Sequence, residues 1–248
     1  MINTGNIEVE VCAFSLESCL AAERAGAKRV ELCSAMYEGG TTPSAGLIQL
    51  VKKQTNLEVY AMIRPRGGDF CYSNHEIDVM KADIEVAKNL GCDGVVLGIL
   101  QTDGSVDVLQ TKQMVGLAQP MKVTFHRAID MTHNYEEALE AIIEAGCHRI
   151  LTSGQKNTAI EGIENIKKLV KCANGRIEVM VGSGVNAQNA AILASTGVNA
   201  IHLTGKSSRD SAMIYRKEGI MMGGLSEVPE YDIVYSDTEK IRAVVNAL

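Results

Sequence analysis

Two short segments of the chain each place a carboxylate and a thiol two residues apart. The segment 8–12 (EVEVC) carries Glu10 and Cys12, and the segment 29–33 (RVELC) carries Glu31 and Cys33. Because side chains alternate along a strand, each pair would share one face while the residue between them points to the other. Neighbouring strands are about 4.8 Å apart, so the two sulfur atoms could approach each other. Two soft thiolates suit Cu(I). The alternative is that both cysteines are small apolar residues that fill the core.

Further ionisable residues follow the same alternation on other predicted strands. Three of them would point to the polar side of their strands, near the carboxyl ends of their segments: Arg64, His126 and His202. Gathered at one opening, these groups and the two glutamates indicate a ligand site with perturbed pKa values. In an enzyme, His126 would be the general acid or base and Glu10 or Glu31 its partner carboxylate. The alternative is a self-neutralising ion-pair network in which Arg64 is shared by Glu10 and Glu31, because unpaired buried charges are costly.

Three loops add candidate groups that would bind an anion. Arg64 and Arg66 precede a Gly-Gly turn, where two arginines can clamp a carboxylate or phosphate unless they belong to an ordinary surface loop. Small residues follow the seventh and eighth predicted strands, where many barrels bind phosphate through backbone N–H groups. The candidates are Ser183 and Gly184 in the first of these loops, and Gly205 and Lys206 in the second.

The elements that would position these groups repeat along the chain. Four glycines each end a helical pattern and precede a strand pattern, at intervals of 51 to 65 residues: Gly26, Gly91, Gly146 and Gly197. Further strand patterns fill the intervals at 7–12, 58–64, 122–126 and 177–182. Eight alternating units in about 250 residues predict a closed (β/α)8 TIM barrel, with its chemistry at the carboxyl ends of the strands. A doubly wound open sheet is the alternative, although no GxGxxG motif follows the first strand.

Composition narrows the classes of partner and compartment. The chain has 248 residues, a net charge of −6 and no block of basic residues, which argues against nucleic acid or an anionic membrane as partner. Neither a secretory signal nor a long apolar window is evident. Seven cysteines without CxxC spacing fit reduced thiols in the cytoplasm. The sequence predicts one cytoplasmic TIM-barrel domain over residues 1–248.

The segment after the eighth predicted strand differs from the rest of the chain. Residues 205–236 show weak periodicity and contain the run 206–210 (KSSRD) and the run 221–224 (MMGG). We predict a long excursion there, closed by a final helix over 237–247. A loop of that length is usually functional or an interface.

Several motifs together resemble the CutC family, called copper homeostasis proteins. They are 8–12 (EVEVC), 29–33 (RVELC), 38–44 (EGGTTPS), 62–70 (MIRPRGGDF), 124–130 (TFHRAID) and 151–154 (LTSG). The resemblance implies a (β/α)8 barrel, a cytoplasmic location and homo-oligomers, often dimers. It also implies Cu(I) bound by two strand-end cysteines, and Cys12 and Cys33 match those positions. Ser183 departs from a Gly-Gly-Gly run that often follows strand seven in the family, which weakens the case for an anion-binding turn.

Three functions are compatible with these observations. The first is a copper homeostasis protein that binds Cu(I) through Cys12 and Cys33. The second is a TIM-barrel enzyme acting by acid–base chemistry on a small anionic or phosphorylated metabolite, because Arg127 and Asp130 add to a barrel opening richer in acid–base groups than copper carriage requires. In this hypothesis Asp130 joins the catalytic groups, and Arg127 and His202 join the substrate-binding ones. The third is an interaction scaffold built on the excursion at 205–236.

Overall fold

Eight parallel strands close into a barrel. The computed structural model describes residues 7–220, 222, 228 and 230–248. Each strand is hydrogen-bonded to the next, and the eighth pairs with the first, so the predicted TIM barrel is confirmed and the open sheet is excluded. The strands are β1 (Glu8–Ala13), β2 (Arg29–Leu32), β3 (Glu58–Met62), β4 (Gly94–Leu97), β5 (Lys122–Phe125), β6 (Arg149–Thr152), β7 (Glu178–Val181) and β8 (Ala200–Leu203).

A helix follows each strand and covers the outside of the barrel. Ser73 and Glu76 form a capping box, each side chain bonded to the other residue's backbone N–H, where α3 begins. Thr158 and Glu161 exchange similar bonds, but α6 starts later, after Gly162. The helices are α1 (Leu16–Ala25), α2 (Ala45–Gln54), α3 (Asn74–Asn89), α4 (Val108–Ala118), α5 (Tyr135–Glu144), α6 (Ile163–Ala173), α7 (Ala190–Ala194) and α8 (Thr238–Val245).

The alternation along the strands separates two cores. Outward-facing residues such as Val11, Leu97 and Phe125 are fully buried in one large cluster with apolar side chains of the helices. Inward-facing residues form smaller clusters, one of which joins Cys12 and Cys33 to Tyr60, Met62 and Val96. The apolar side of the strands therefore faces the helices, and the side that carries the polar residues fills the lumen, as expected for a barrel.

The segment after β8 contains a two-stranded antiparallel ribbon. β9 (Lys206–Asp210) pairs with β10 (Asp232–Ser236), and Arg209 anchors the ribbon to α1 through two hydrogen bonds to the Glu17 carboxylate. Asp237 then caps α8. Within the excursion predicted over 205–236, residues 221, 223–227 and 229 lie outside the described residues. No helix in the described part of the chain is long and apolar enough to cross a membrane.

Candidate functional site

Two buried arginines form the floor of the lumen. Arg29, at the start of β2, donates to the carboxylates of Glu10 and Glu8. Arg149, at the start of β6, pairs with Glu178, and both guanidinium groups lie over the ring of Tyr60, at 5.0 and 5.5 Å. Burial alone would raise the pKa of the Glu10 carboxyl, but the hydrogen bond with His202 and the charge of Arg29 lower this pKa to about 2. The floor is therefore a paired charge network in which Glu10 is ionised.

Above the floor, His202 lies between two carboxylates. Its Nδ1 is 2.8 Å from Glu10 Oε1, and its Nε2 is 3.7 Å from Glu31 Oε2. Burial alone would lower the pKa of the imidazole, but the neighbouring Glu31 and Glu10 raise this pKa well above its ordinary value. Burial also raises the pKa of the Glu31 carboxyl, because neighbouring charges and hydrogen bonds offset burial less there than at Glu10. The pair of Glu10 and His202 is therefore an ion pair in the interior.

The two predicted thiols meet at the carboxyl end of the lumen. The Sγ atoms of Cys12 and Cys33 are 3.9 Å apart, and Cys33 Sγ is 3.7 Å from Glu31 Oε2. Cys33 is fully buried and Cys12 is 8 % exposed. The thioether of Met62 belongs to the same apolar cluster. The sulfur atoms therefore share a compact, largely dry site next to a carboxylate.

Both thiols are held in the protonated form. The hydrogen bond to Cys33 and burial raise the pKa of the Cys12 thiol well above its ordinary value. Burial raises the pKa of the Cys33 thiol to about 11. A metal–thiolate bond is about 2.3 Å long for zinc, so one ion can contact two sulfur atoms that are 3.9 Å apart. The residues present therefore fit a soft metal ion, which would displace the thiol protons.

Arg64 lies elsewhere than the ion-pair hypothesis expected. Its Nη1 donates to the carbonyls of Glu38 and Gly40, and its Nη2 donates to that of Gly68. The proposed sharing of Arg64 by Glu10 and Glu31 is wrong, because Arg64 lies beyond the end of β3 and its guanidinium joins two loops through their carbonyls. The partners of Glu10 are Arg29 and His202 instead.

The other predicted binding arginines also hold loop structure. Arg66 pairs with Glu76 and Asp69. Arg127 donates to Asp130 Oδ2 at 2.8 Å and to Ser153 Oγ at 2.6 Å. The remaining bonds to the Asp130 carboxylate come from the end of β6 and the loop after it: the backbone N–H groups of Ser153 and Gln155, and the hydroxyls of Thr152 and Ser153. Asp130 therefore organises that loop through a fully used carboxylate.

His126 is buried at the end of β5 and stays neutral. Its Nδ1 accepts a hydrogen bond from the backbone N–H of Ala128, which places the proton on Nε2. Burial, with the charges of Arg64 and Arg127, lowers the pKa of the imidazole to about 3. Its ring is 4.8 Å from that of Phe70. The glutamates lie next to His202, so the structure separates His126 from the partner carboxylate expected for it.

Comparison with known proteins agrees with this architecture. Residues 7–207 match the model of the CutC family. The chain belongs to the CutC family. It is 46 % identical to the human copper homeostasis protein cutC homolog over 237 residues, covering 95 % of this chain and 87 % of the human one. A CutC family protein of Chromobacterium violaceum is 48 % identical over 241 residues, 97 % of each chain.

Solved structures show the same relationship. The crystal structure of a CutC protein from Streptococcus agalactiae has a TM-score of 0.76 at 38 % identity, covering 80 % of this chain and 98 % of that one. An aldolase superposes with a TM-score of 0.60 at 18 % identity, over 82 % of this chain and 92 % of that one, and shares the fold alone.

In this member of the CutC family, the two predicted phosphate loops both reach one cavity beside α8. Ser183 adopts a left-handed conformation, and its Oγ donates to the Asn157 carbonyl at 2.6 Å. Gly184 follows in the same turn, and within the described residues no backbone hydrogen bond joins this turn to the second loop. Gly205 and Lys206 line this cavity of about 440 Å³ together with residues 185–188, which directly follow Gly184. The Lys206 ammonium lies 5.6 Å from the Tyr37 ring.

Sequence reasoning missed the two arginines of the floor. Arg29 and Arg149 occupy equivalent places in the internal repeats, each one residue before an outward-facing Val30 or Ile150. The alternation alone places them in the lumen, so a signal for them exists in the sequence. Barrel chemistry is expected at the carboxyl ends of the strands, whereas these two arginines lie at the amino ends.

Proposed function

We propose that this protein binds Cu(I) through Cys12 and Cys33 and serves in copper homeostasis. The observation that carries the proposal is the 3.9 Å separation of the two Sγ atoms at the carboxyl ends of adjacent strands. Thiolates are soft ligands that favour Cu(I), and the Met62 thioether in the same cluster is a soft group as well. The relatives that carry the name copper homeostasis protein support the same role.

Binding at this site exchanges protons for metal. Both thiols are protonated in the free protein, so each must lose its proton to become a ligand, and the apparent affinity therefore rises with pH. The ion enters a site that is nearly closed to solvent. Gly40 packs against Cys33, and a Cβ there would lie 3.2 Å from Cys33 Sγ, so the absent side chain leaves room beside that sulfur.

An anaerobic Cu(I) titration against a chromophoric Cu(I) chelator tests the proposal. Cys12→Ser and Cys33→Ser should each lose the high-affinity site. Cys147→Ser is the matched control, because Cys147 is also 8 % exposed but packs against the outer core. Equal stoichiometry and affinity in all four proteins would remove the proposed copper site.

A second candidate function is acid–base catalysis on a small anionic or phosphorylated metabolite. The observation that favours it is His202, held by Glu10 at 2.8 Å and facing Glu31 at 3.7 Å, because a histidine oriented by a carboxylate is a common proton-transfer group. The role that the sequence suggested for His126 passes to His202 in this proposal. Deuterium incorporation from D2O into a panel of phosphorylated sugars and 2-oxo acids tests it. Rates equal to those of His202→Gln would count against an enzyme.

The proposed copper role fits a reducing compartment such as the cytoplasm. All seven cysteines are free thiols. A disulfide between Cys12 and Cys33 would consume both ligands, so Cu(I) binding requires that they stay reduced. We also propose a homo-oligomer, most simply a dimer, which the solution mass from light scattering would test. A measured solution mass equal to the mass calculated for one chain would refute it.

A further inference from the structure

A second group of buried polar atoms lies away from the thiols, in the sector of β3 to β5. His126 is 4 % exposed, and its Nε2 has no hydrogen-bond partner among the described residues. Arg64 is 6 % exposed, and its Nε is likewise unpartnered within the described chain. Since Nδ1 of His126 accepts from Ala128, both orphaned atoms are N–H donors. Buried donors without acceptors are costly, and most native proteins avoid them.

Arg64 is also a buried cation without a counter-charge. Its guanidinium bonds are to three neutral backbone carbonyls, and no carboxylate of the described residues lies within 4.0 Å of its nitrogen atoms. The arginines of the floor, by contrast, pair with glutamates. A buried charge is normally paired, so an anion is the missing component of this sector.

Phe70 connects the two orphaned donors with a cavity. Its ring lies 4.8 Å from the His126 ring and 5.0 Å from the Arg64 guanidinium carbon. The same residue lines a cavity of about 690 Å³, whose other walls include Leu100 and Met131. The main chain of Phe70 is fixed, because its carbonyl accepts from the N–H of Leu100 at 2.9 Å. Neither His126 nor Arg64 lines this cavity, so contact between a molecule in the cavity and the two donors requires the Phe70 side chain to rotate.

We propose that this sector binds a small organic anion with an apolar body. The charged end accepts hydrogen bonds from His126 Nε2 and Arg64 Nε, and the apolar body occupies the cavity beside Phe70. The Ala128 N–H holds the imidazole in the tautomer with its proton on Nε2, so this N–H is available as a donor. The site shares no donor with the pair of Cys12 and Cys33, so it is a second site, independent of copper.

Calorimetric titration with benzoate and phenylphosphonate tests this site, with neutral benzamide as the matched control. At least one of the anions should bind more tightly than benzamide. His126→Asn keeps an acceptor for the Ala128 N–H but removes the Nε2 donor, and it should weaken anion binding about 10-fold or more. Arg64→Lys keeps the charge without the Nε–H and should weaken it similarly. His75→Asn, an exposed histidine of α3, should leave it unchanged.

A direct readout covers the case in which a variant fails to fold. With 15N-labelled histidine in the wild-type protein, saturation by the bound anion should move the Nε2 resonance of His126. Cys12→Ser should bind the anion as the wild type does, which separates this site from the copper site. The proposal is overturned if neither anion binds better than benzamide up to about 10 mM, or if binding leaves the His126 resonance in place.

Discussion

Replacing Arg29 by methionine tests the charge network beneath the site. The Arg29 side chain is 1 % exposed, and it bonds to Glu10, which is fully buried, and to Glu8 at 2.8 Å. Methionine retains most of the packing against Tyr60 but removes the charge. Glu10 then keeps a negative charge in the interior with His202 as its remaining hydrogen-bond partner. Removing one partner of a buried ion pair costs about 3–5 kcal/mol, so we expect a loss of stability in that range.

Urea unfolding followed by far-ultraviolet circular dichroism measures the effect. With an m-value of about 3 kcal/mol/M, a loss of about 4 kcal/mol lowers the midpoint by about 1.3 M. Arg176→Met is the matched control, because Arg176 pairs with Glu140 through two hydrogen bonds at the surface. A surface pair contributes about 0–1 kcal/mol, so that midpoint should hardly move.

A double variant separates the charge from the packing. Arg29→Met combined with Glu10→Gln removes both charges, while the amide that replaces the Glu10 carboxylate still offers a carbonyl oxygen to His202. We expect the double variant to be more stable than Arg29→Met alone by at least about 1.5 kcal/mol. An Arg29→Met variant that loses less than about 1 kcal/mol, as the surface control does, would refute the description of the floor as a buried ion-pair network.

Three single contacts give further predictions. Gly98→Ala should lower the free energy of unfolding by about 1–3 kcal/mol in thermal unfolding, because its Cβ would lie 2.5 Å from the His126 ring. In the control Gly116→Ala in α4, the new Cβ meets nothing within 4 Å, so this variant should be neutral or stabilising. Asp130→Asn should cost at least about 2 kcal/mol, because an amide nitrogen cannot accept the loop's hydrogen bonds; an unchanged midpoint would contradict this. Burial would raise the pKa of Glu8, but its basic partners lower this pKa from 4.5 to about 2. The resulting stability is complete above pH 4.5 and is lost as the pH falls towards 2, and we expect about 1–2 kcal/mol for this half-buried group, absent in Glu8→Gln.

The barrel and the meeting of the two thiols were predictable because their signals are local. The alternation of side chains along β1 and β2 places Cys12 and Cys33 in the lumen whatever the rest of the chain does. The glycines that end helices and precede strands recur through the chain and mark the repeating units. Parallel strands joined by single helices lie side by side, so neighbouring strands in the sequence became neighbouring strands in space.

The partners of the long charged side chains depended on the tertiary structure. The sequence by itself determined which residues face the lumen, because side chains along a strand alternate between its two sides with a period of two residues. It did not determine that Glu10 pairs with Arg29 and His202 rather than with Arg64, because that choice depends on register and on where each strand ends. In the barrel, Glu10 lies opposite both Arg29 and His202, while Arg64 lies beyond the end of β3 and turns to the loop carbonyls. Closure of β8 onto β1 brings together residues 192 positions apart, a contact that no local pattern encodes.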